Sequence, residues 1–155
     1  MLNIVTGENA PILRTVCDAV VDFDKPLKRL AKDMTATMKA AKGLGIAAPQ
    51  VNVNARVIIV TLGFQENDLQ YISMVNPEIL FASDEKCIGE EGCLSLPGQF
   101  GNVERSEEIS VKFFDVKGNE MMLKLERMDA RVVQHEIDHL EGILFIDQLV
   151  DGVVL

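Results

Sequence analysis

Asp129-Ala130-Arg131-Val132-Val133-Gln134-His135-Glu136-Ile137-Asp138-His139-Leu140-Glu141-Gly142 is the stretch around which the rest of this chain is organised. Val132, Val133, Ile137 and Leu140 recur in helical register, so one face of a helix is buried. Asp129 is the expected cap at its start, the helix is expected to run to about Glu141, and Gly142 to close it. His135 and His139 stand four residues apart, which puts both imidazoles on one face, a turn apart, where they can share a cation. Glu136 is close enough to reach a water on that cation without ligating, the position of a general base in metal-assisted hydrolysis. The plainer alternative is a solvated helix whose two histidines bind nothing. The apolar flanks count against it, because imidazoles and carboxylates set into a core or cleft need partners.

Working outward, Asp24-Lys25-Pro26 opens an earlier helix, with Asp24 as N-cap and Pro26 in the first turn. Leu27, Leu30, Ala31, Met34, Met38 and Ala41 keep a period near 3.6, and Gly43 is expected to end it. Arg56-Val57-Ile58-Ile59-Val60 reads as a buried strand. Residues 71–75 form a second, with a break at Asn76-Pro77 before Ile79-Leu80-Phe81. Residues 109–116, the turn Lys117-Gly118-Asn119 and residues 121–125 read as a hairpin, and Leu144-Phe145-Ile146 as a last strand. Helix, strands, then helix, with no βαβ alternation, predicts an α+β fold: mostly antiparallel sheets packed around the central metal-binding helix.

The 155 residues, 48% of them hydrophobic, suit one domain spanning 1–155. A net charge of −9 argues against an extended basic face for nucleic acid. Lys25, Lys28, Arg29 and Lys32 read as a solvated helix face. No apolar run approaches the ~20 residues of a membrane helix. Met1-Leu2-Asn3-Ile4-Val5-Thr6-Gly7 lacks the pattern of a signal peptide. Cys17, Cys87 and Cys93 are too few and odd in number for a disulfide framework, which points to a reducing, cytoplasmic setting.

The two histidines of the helix are the only ones in the chain, so a third ligand has to be a carboxylate or a cysteine. Asp147 and Glu141 lie nearby in sequence. Cys93 sits in Glu90-Glu91-Gly92-Cys93-Leu94-Ser95-Leu96-Pro97-Gly98, which reads as a tight loop where a thiolate could meet a cation, or where a free cysteine is simply buried. Gly43-Leu44-Gly45-Ile46-Ala47-Ala48-Pro49-Gln50 would allow close backbone contact with a substrate, or be a plain helix-to-strand connection. Its spacing is not that of a phosphate loop. The Gln50 amide could donate to an oxyanion.

Together these segments resemble peptide deformylase. Gly43, Gly45, Ala47, Ala48 and Gln50 match its G-x-G-x-A-A-x-Q motif, Glu91 to Ser95 its E-G-C-L-S, and Gln134 to His139 its Q-H-E-x-D-H. The resemblance implies a deformylase-like fold and removal of the formyl group from the N-terminal methionine of new polypeptides, releasing formate. It implies metal ligation by Cys93, His135 and His139, with water as fourth ligand. Glu136 would act as general base and acid, and Gln50 and the Leu94 N–H would stabilise the oxyanion. Leu44, Gly45, Glu91 and Gly92 would line or orient the peptide, and Met128 and Val132 would wall an apolar pocket for methionine. Fe(II) is implied in cells, with zinc, nickel or cobalt possible in purified protein. N-formyl-methionyl peptides are the implied partners of a monomer, with neither nucleic acid nor a membrane. Arg105 and Asp138 are candidates to support the ligands from behind.

The chain departs from the family pattern at Asp151-Gly152-Val153-Val154-Leu155, which is expected not to form the C-terminal helix of most bacterial members. Docking to the ribosome is therefore expected to be transient at most. Shortened members occur among viral and other compact versions; a cytoplasmic location is expected, in a host cytoplasm if the source is viral. Phe100 stands where some members carry a basic residue near the substrate path. Two rival readings remain: a metallopeptidase using the same helix, which the two other motifs count against, and a catalytically silent relative, which would usually have lost Glu136, Cys93 or Gln50.

Overall fold

A computed structural model describes residues 1–151, so the expectation for the last residues falls, Asp151 apart, outside the described residues. Its first helix, α1 (Lys25–Ala40), begins as its sequence dictates, with the Asp24 side chain accepting from Leu27 N at 3.1 Å. The left-handed turn that ends it falls on Lys42 (φ 59°) rather than on Gly43. Gly43 has another role: a Cβ there would lie 2.7 Å from Leu94 Cδ1, so its bareness lets the Leu94 side chain close over it.

Five strands, β1 (Gly45–Ala47), β2 (Val57–Leu62), β3 (Gln70–Ala82), β6 (Glu108–Phe114) and β7 (Glu120–Glu126), form one antiparallel sheet in the order β1-β2-β3-β6-β7. Every residue of β2 is buried, because both faces of the sheet are covered. Val57 and Ile59 point to one side, into a cluster with Leu27, Ala31, Met34 and Met38 of α1. Ile58, Val60 and Leu62 point to the other, against Val132, Val133, Ile137 and Leu140 of the last helix, α2 (Arg127–Leu140). The break expected at Asn76-Pro77 is instead a bulge within β3. Asn76 takes φ 51°, and its side chain bonds Val20 through N–H and C=O at 2.8 and 2.9 Å.

The remaining strands, β4 (Lys86–Cys93) and β5 (Leu96–Ser106), pair as a separate antiparallel hairpin. The loop expected around Cys93 is thus the tip of a hairpin, and Pro97-Gly98 lies within a strand. Leu13, Leu96, Val103, Leu144 and Phe145 form a third cluster beneath it. Leu144-Phe145-Ile146 is not a strand: Phe145–Gln148 is a single 3-10 turn whose Phe145 is buried in that cluster. Nor does Asp129 cap α2, which starts after Glu126. Asp129 accepts instead from Gly63 N and Phe64 N at 3.1 and 3.2 Å, fastening the β2–β3 connection to the helix. No helix among the described residues is long and apolar enough to cross a membrane.

Candidate metal centre

Two turns of α2 and the tip of the β4–β5 hairpin meet at one point. Helical spacing puts His135 and His139 on the same face, their ring centroids 5.3 Å apart. A register shift after Gly92 turns Cys93 toward them, and its Sγ stands 3.4 Å from His139 Nε2. The donor atoms of Cys93, His135 and His139 all lie within 4.8 Å of one another, making them the group among the described residues that could hold a metal ion. Tetrahedral ligation with bonds of 2.0–2.3 Å separates ligand atoms by about 3.5 Å, so the cluster needs little movement to fit. The alternative carboxylates are elsewhere: Asp147 pairs with Arg14 and Glu141 with Arg56.

Partners behind the three candidate donors fix their aim. His135 Nδ1 stands 2.8 Å from Glu91 Oε1, leaving Nε2 to face the cluster. Arg105 bonds both oxygens of Glu91 at 2.9 and 2.8 Å, Arg131 bonds Oε2 at 2.6 Å, and Arg105 also reaches Asp138 at 2.5 Å. Burial would raise the Glu91 carboxyl, but Arg105 and His135 outweigh it and hold the group well below the usual range. Burial would likewise lower His135, yet its bonds with Cys93 and Glu91 and the nearby carboxylates bring it up to about 10. His139 is pushed well down by burial and by the charges of His135 and Arg105, which keeps its ring neutral. Its Nδ1 has no hydrogen-bond partner in the structure.

Glu136 is 5% exposed, with Oε2 4.0 Å from His135 Nε2 and Oε1 buried without a partner. Burial pushes its carboxyl up to about 7. Gly45 makes room for it, since a Cβ there would lie 2.6 Å from Glu136 Oε2. Gln50 is oriented in the same way. Ala47 N donates to its Oε1 at 2.9 Å, which turns its Nε2 toward Ser95 Oγ at 3.1 Å and Cys93 Sγ at 3.5 Å. A thiol and two imidazoles around one point form a donor set that fits a divalent cation, with the free oxygen of the Glu136 carboxyl beside it.

Beside this point a cleft of about 490 Å³ is lined by Leu44, Gly45, Gly92, Leu94, Phe100, Met128 and Val132, with Gln50, Glu91, Cys93, His135 and Glu136 at its floor. The residues expected to line a substrate are therefore brought together. Glu91, expected to line or orient the peptide, does line the cleft, but it is 7% exposed and both its oxygens are engaged by Arg105, Arg131 and His135. Sequence reasoning assigned no role to Ser95 or Arg131. A charged residue among the apolar flanks of a buried helix was the available signal for Arg131.

Residues 1–153 match the family model described as polypeptide deformylase. Peptide deformylase 1 of Bacillus anthracis is 44% identical over 149 residues, which cover 96% of this chain and 92% of the relative. The crystal structure of peptide deformylase from Thermotoga maritima is 38% identical and superposes with a TM-score of 0.91, over 97% of this chain and 99% of that one. A class I type b peptide deformylase from Acinetobacter baumannii, in a crystal structure bound to Met-Ala-Ser, gives a TM-score of 0.88 at 41% identity, over 96% and 98% of the two chains. The correspondence runs from the first residues through the metal helix, and this chain belongs to the peptide deformylase family of enzymes, which act on formylated N-terminal peptides.

Proposed function

We propose that this enzyme removes the formyl group from N-terminal formyl-methionine with a divalent cation held by Cys93, His135 and His139, Glu136 moving the proton. A cation bound there supplies Lewis acidity and lowers the pKa of a water molecule. The observation that carries the reading is the state of Glu136. A buried carboxyl beside the three donors with one oxygen unpartnered is placed to take a proton and give it to a leaving amine. Gln50, its amide fixed by Ala47 N, and the backbone N–H of Leu94 at the hairpin tip hold the negative oxygen that develops on the formyl carbon. Leu44, Gly45 and Gly92 receive the peptide backbone, Met128 and Val132 the methionine side chain. Glu91 serves by holding His135.

The thiolate and two imidazoles suit Fe(II), with zinc, nickel or cobalt as alternatives. Met-Ala-Ser bound to the Acinetobacter baumannii relative supports a short peptide beginning with methionine as the occupant of the cleft. The test is to incubate anaerobically prepared iron or nickel protein with formyl-Met-Ala-Ser and acetyl-Met-Ala-Ser and to measure free amine. Release from the formyl peptide alone is expected; no release from either overturns the reading.

A further inference from the structure

Cys93 belongs to the hairpin and the two histidines to α2, so the geometry of the triad depends on how the hairpin is seated on the helix. Arg131, one turn before His135, is 8% exposed. Its Nη1 donates to Glu91 Oε2 at 2.6 Å and to Val103 O at 3.1 Å. Its Nη2 donates to Cys87 O at 3.0 Å and meets Cys87 Sγ at 3.4 Å. One rigid fork from the helix therefore grips both strands, β4 at Cys87 and Glu91 and β5 at Val103. Arg105, the other guanidinium on Glu91, lies on β5 and so braces the hairpin internally, reaching α2 further along through Asp138. These two guanidinium attachments straddle His135, and Gln134 adds a neutral tie to Ser106 of β5.

The hairpin is shaped to admit the fork. A Cβ on Gly89 would lie 2.8 Å from Arg131 Cζ and 3.0 Å from its Nε and Nη2, so the guanidinium fills the space of a side chain. Buried ion pairs seldom add net stability over apolar packing of the same volume. With Glu91 already held at both oxygens by Arg105, what the second guanidinium adds is three fixed anchor points.

We propose that Arg131 is a positioning residue: it sets the seat of the β4–β5 hairpin on α2, and thereby the approach of the Cys93 thiol to the two imidazoles. The inference rests on the reading of Cys93, His135 and His139 as metal ligands. Arg131→Met removes the fork while keeping most of its length. Gly89→Ala displaces the fork without altering a charge, at a position outside the positive-φ region.

The experiment loads wild type and both variants with cobalt, then measures affinity by chelator competition and the thiolate-to-cobalt charge-transfer absorption. In the metal-free proteins it follows alkylation of Cys93 by peptide mapping, with the buried Cys17 as internal reference. Wild-type circular dichroism, about 10- to 100-fold weaker cobalt binding, a diminished thiolate band and faster alkylation of Cys93 with Cys17 unchanged are expected of both variants. Unchanged affinity and band in the variants overturn the clamp and leave the ligand reading intact. A wild-type protein that binds cobalt with no thiolate band overturns the ligand reading and the clamp with it. If Arg131→Met does not fold, Gly89→Ala decides alone, and wild-type cobalt binding in it overturns the proposal.

Discussion

Glu91 Oε1 stands 2.8 Å from His135 Nδ1, while Oε2 of the same carboxylate accepts from Arg105 and Arg131 at 2.9 and 2.6 Å. One buried charge thus aims a ring and is shared by two guanidiniums, of which Arg105 also meets Asp138. Glu91→Gln leaves Arg131 without a carboxylate partner and Arg105 with Asp138 alone, and metal-free protein is expected to lose about 3–5 kcal/mol in urea unfolding. A loss below about 1 kcal/mol would mean that water reaches the network and screens it.

Glu136→Gln preserves the volume and removes the titratable group. The variant is expected to hold as much metal as wild type while turnover of formyl-Met-Ala-Ser falls by about 10²- to 10⁴-fold. Metal analysis beside amine release decides the matter, and undiminished turnover would take Glu136 out of the proton transfer.

Gly45→Ala tests the same carboxyl from the opposite wall. The added Cβ would lie 2.6 Å from Glu136 Oε2 and 2.8 Å from its Cγ, so the side chain has to move. Stability is expected to fall by only about 1–3 kcal/mol, and turnover by far more than that destabilisation explains. Comparing thermal unfolding with kcat separates the two effects; wild-type kcat would show that the carboxyl tolerates displacement.

At the far end of the third core cluster, Arg14 Nη1 meets Asp147 Oδ2 at 2.5 Å, each side chain 36% exposed. The Arg14 hydrogen bond holds the Asp147 carboxyl below its ordinary value. A lowered folded value means that the stabilisation is complete above the unfolded aspartate value of about 3.9 and is lost as pH falls through the folded one. Asp147→Asn is therefore expected to cost at most about 1 kcal/mol at neutral pH, given solvent screening. The difference from wild type should narrow steadily below about pH 3.9. Thermal unfolding across that range checks it, and a gap that widens in acid contradicts the sign.

What could be read from the sequence follows the range of the interactions involved. α2 is legible because its apolar face and its histidine pair depend on local spacing alone, and the same holds for Asp24 at the start of α1. The hairpin is not. Gly89, Gly92, Gly98 and Gly101 are poor strand formers, and the pair is held by Arg131 and Gln134 of α2, distant in sequence, which bond Cys87, Glu91, Val103 and Ser106. Asp129 looks like a cap because the local pattern cannot see Gly63, which claims its carboxylate. For Cys93 the local context leaves burial and ligation equally open, and its 3.4 Å approach to His139 exists only once the hairpin has docked. The motif resemblance bridges that gap; residue spacing alone does not.

The placement of the three candidate ligands on two separately built pieces has a temporal consequence. A partly folded chain offers a cation no more than a histidine pair on a helix, because the Cys93 thiol, 46 positions before His139, joins the pair only when the hairpin is seated. On the proposed reading, loading of the ion would therefore report on assembly: a molecule would gain its full grip on metal, and with it the capacity to turn over, only once the hairpin has docked.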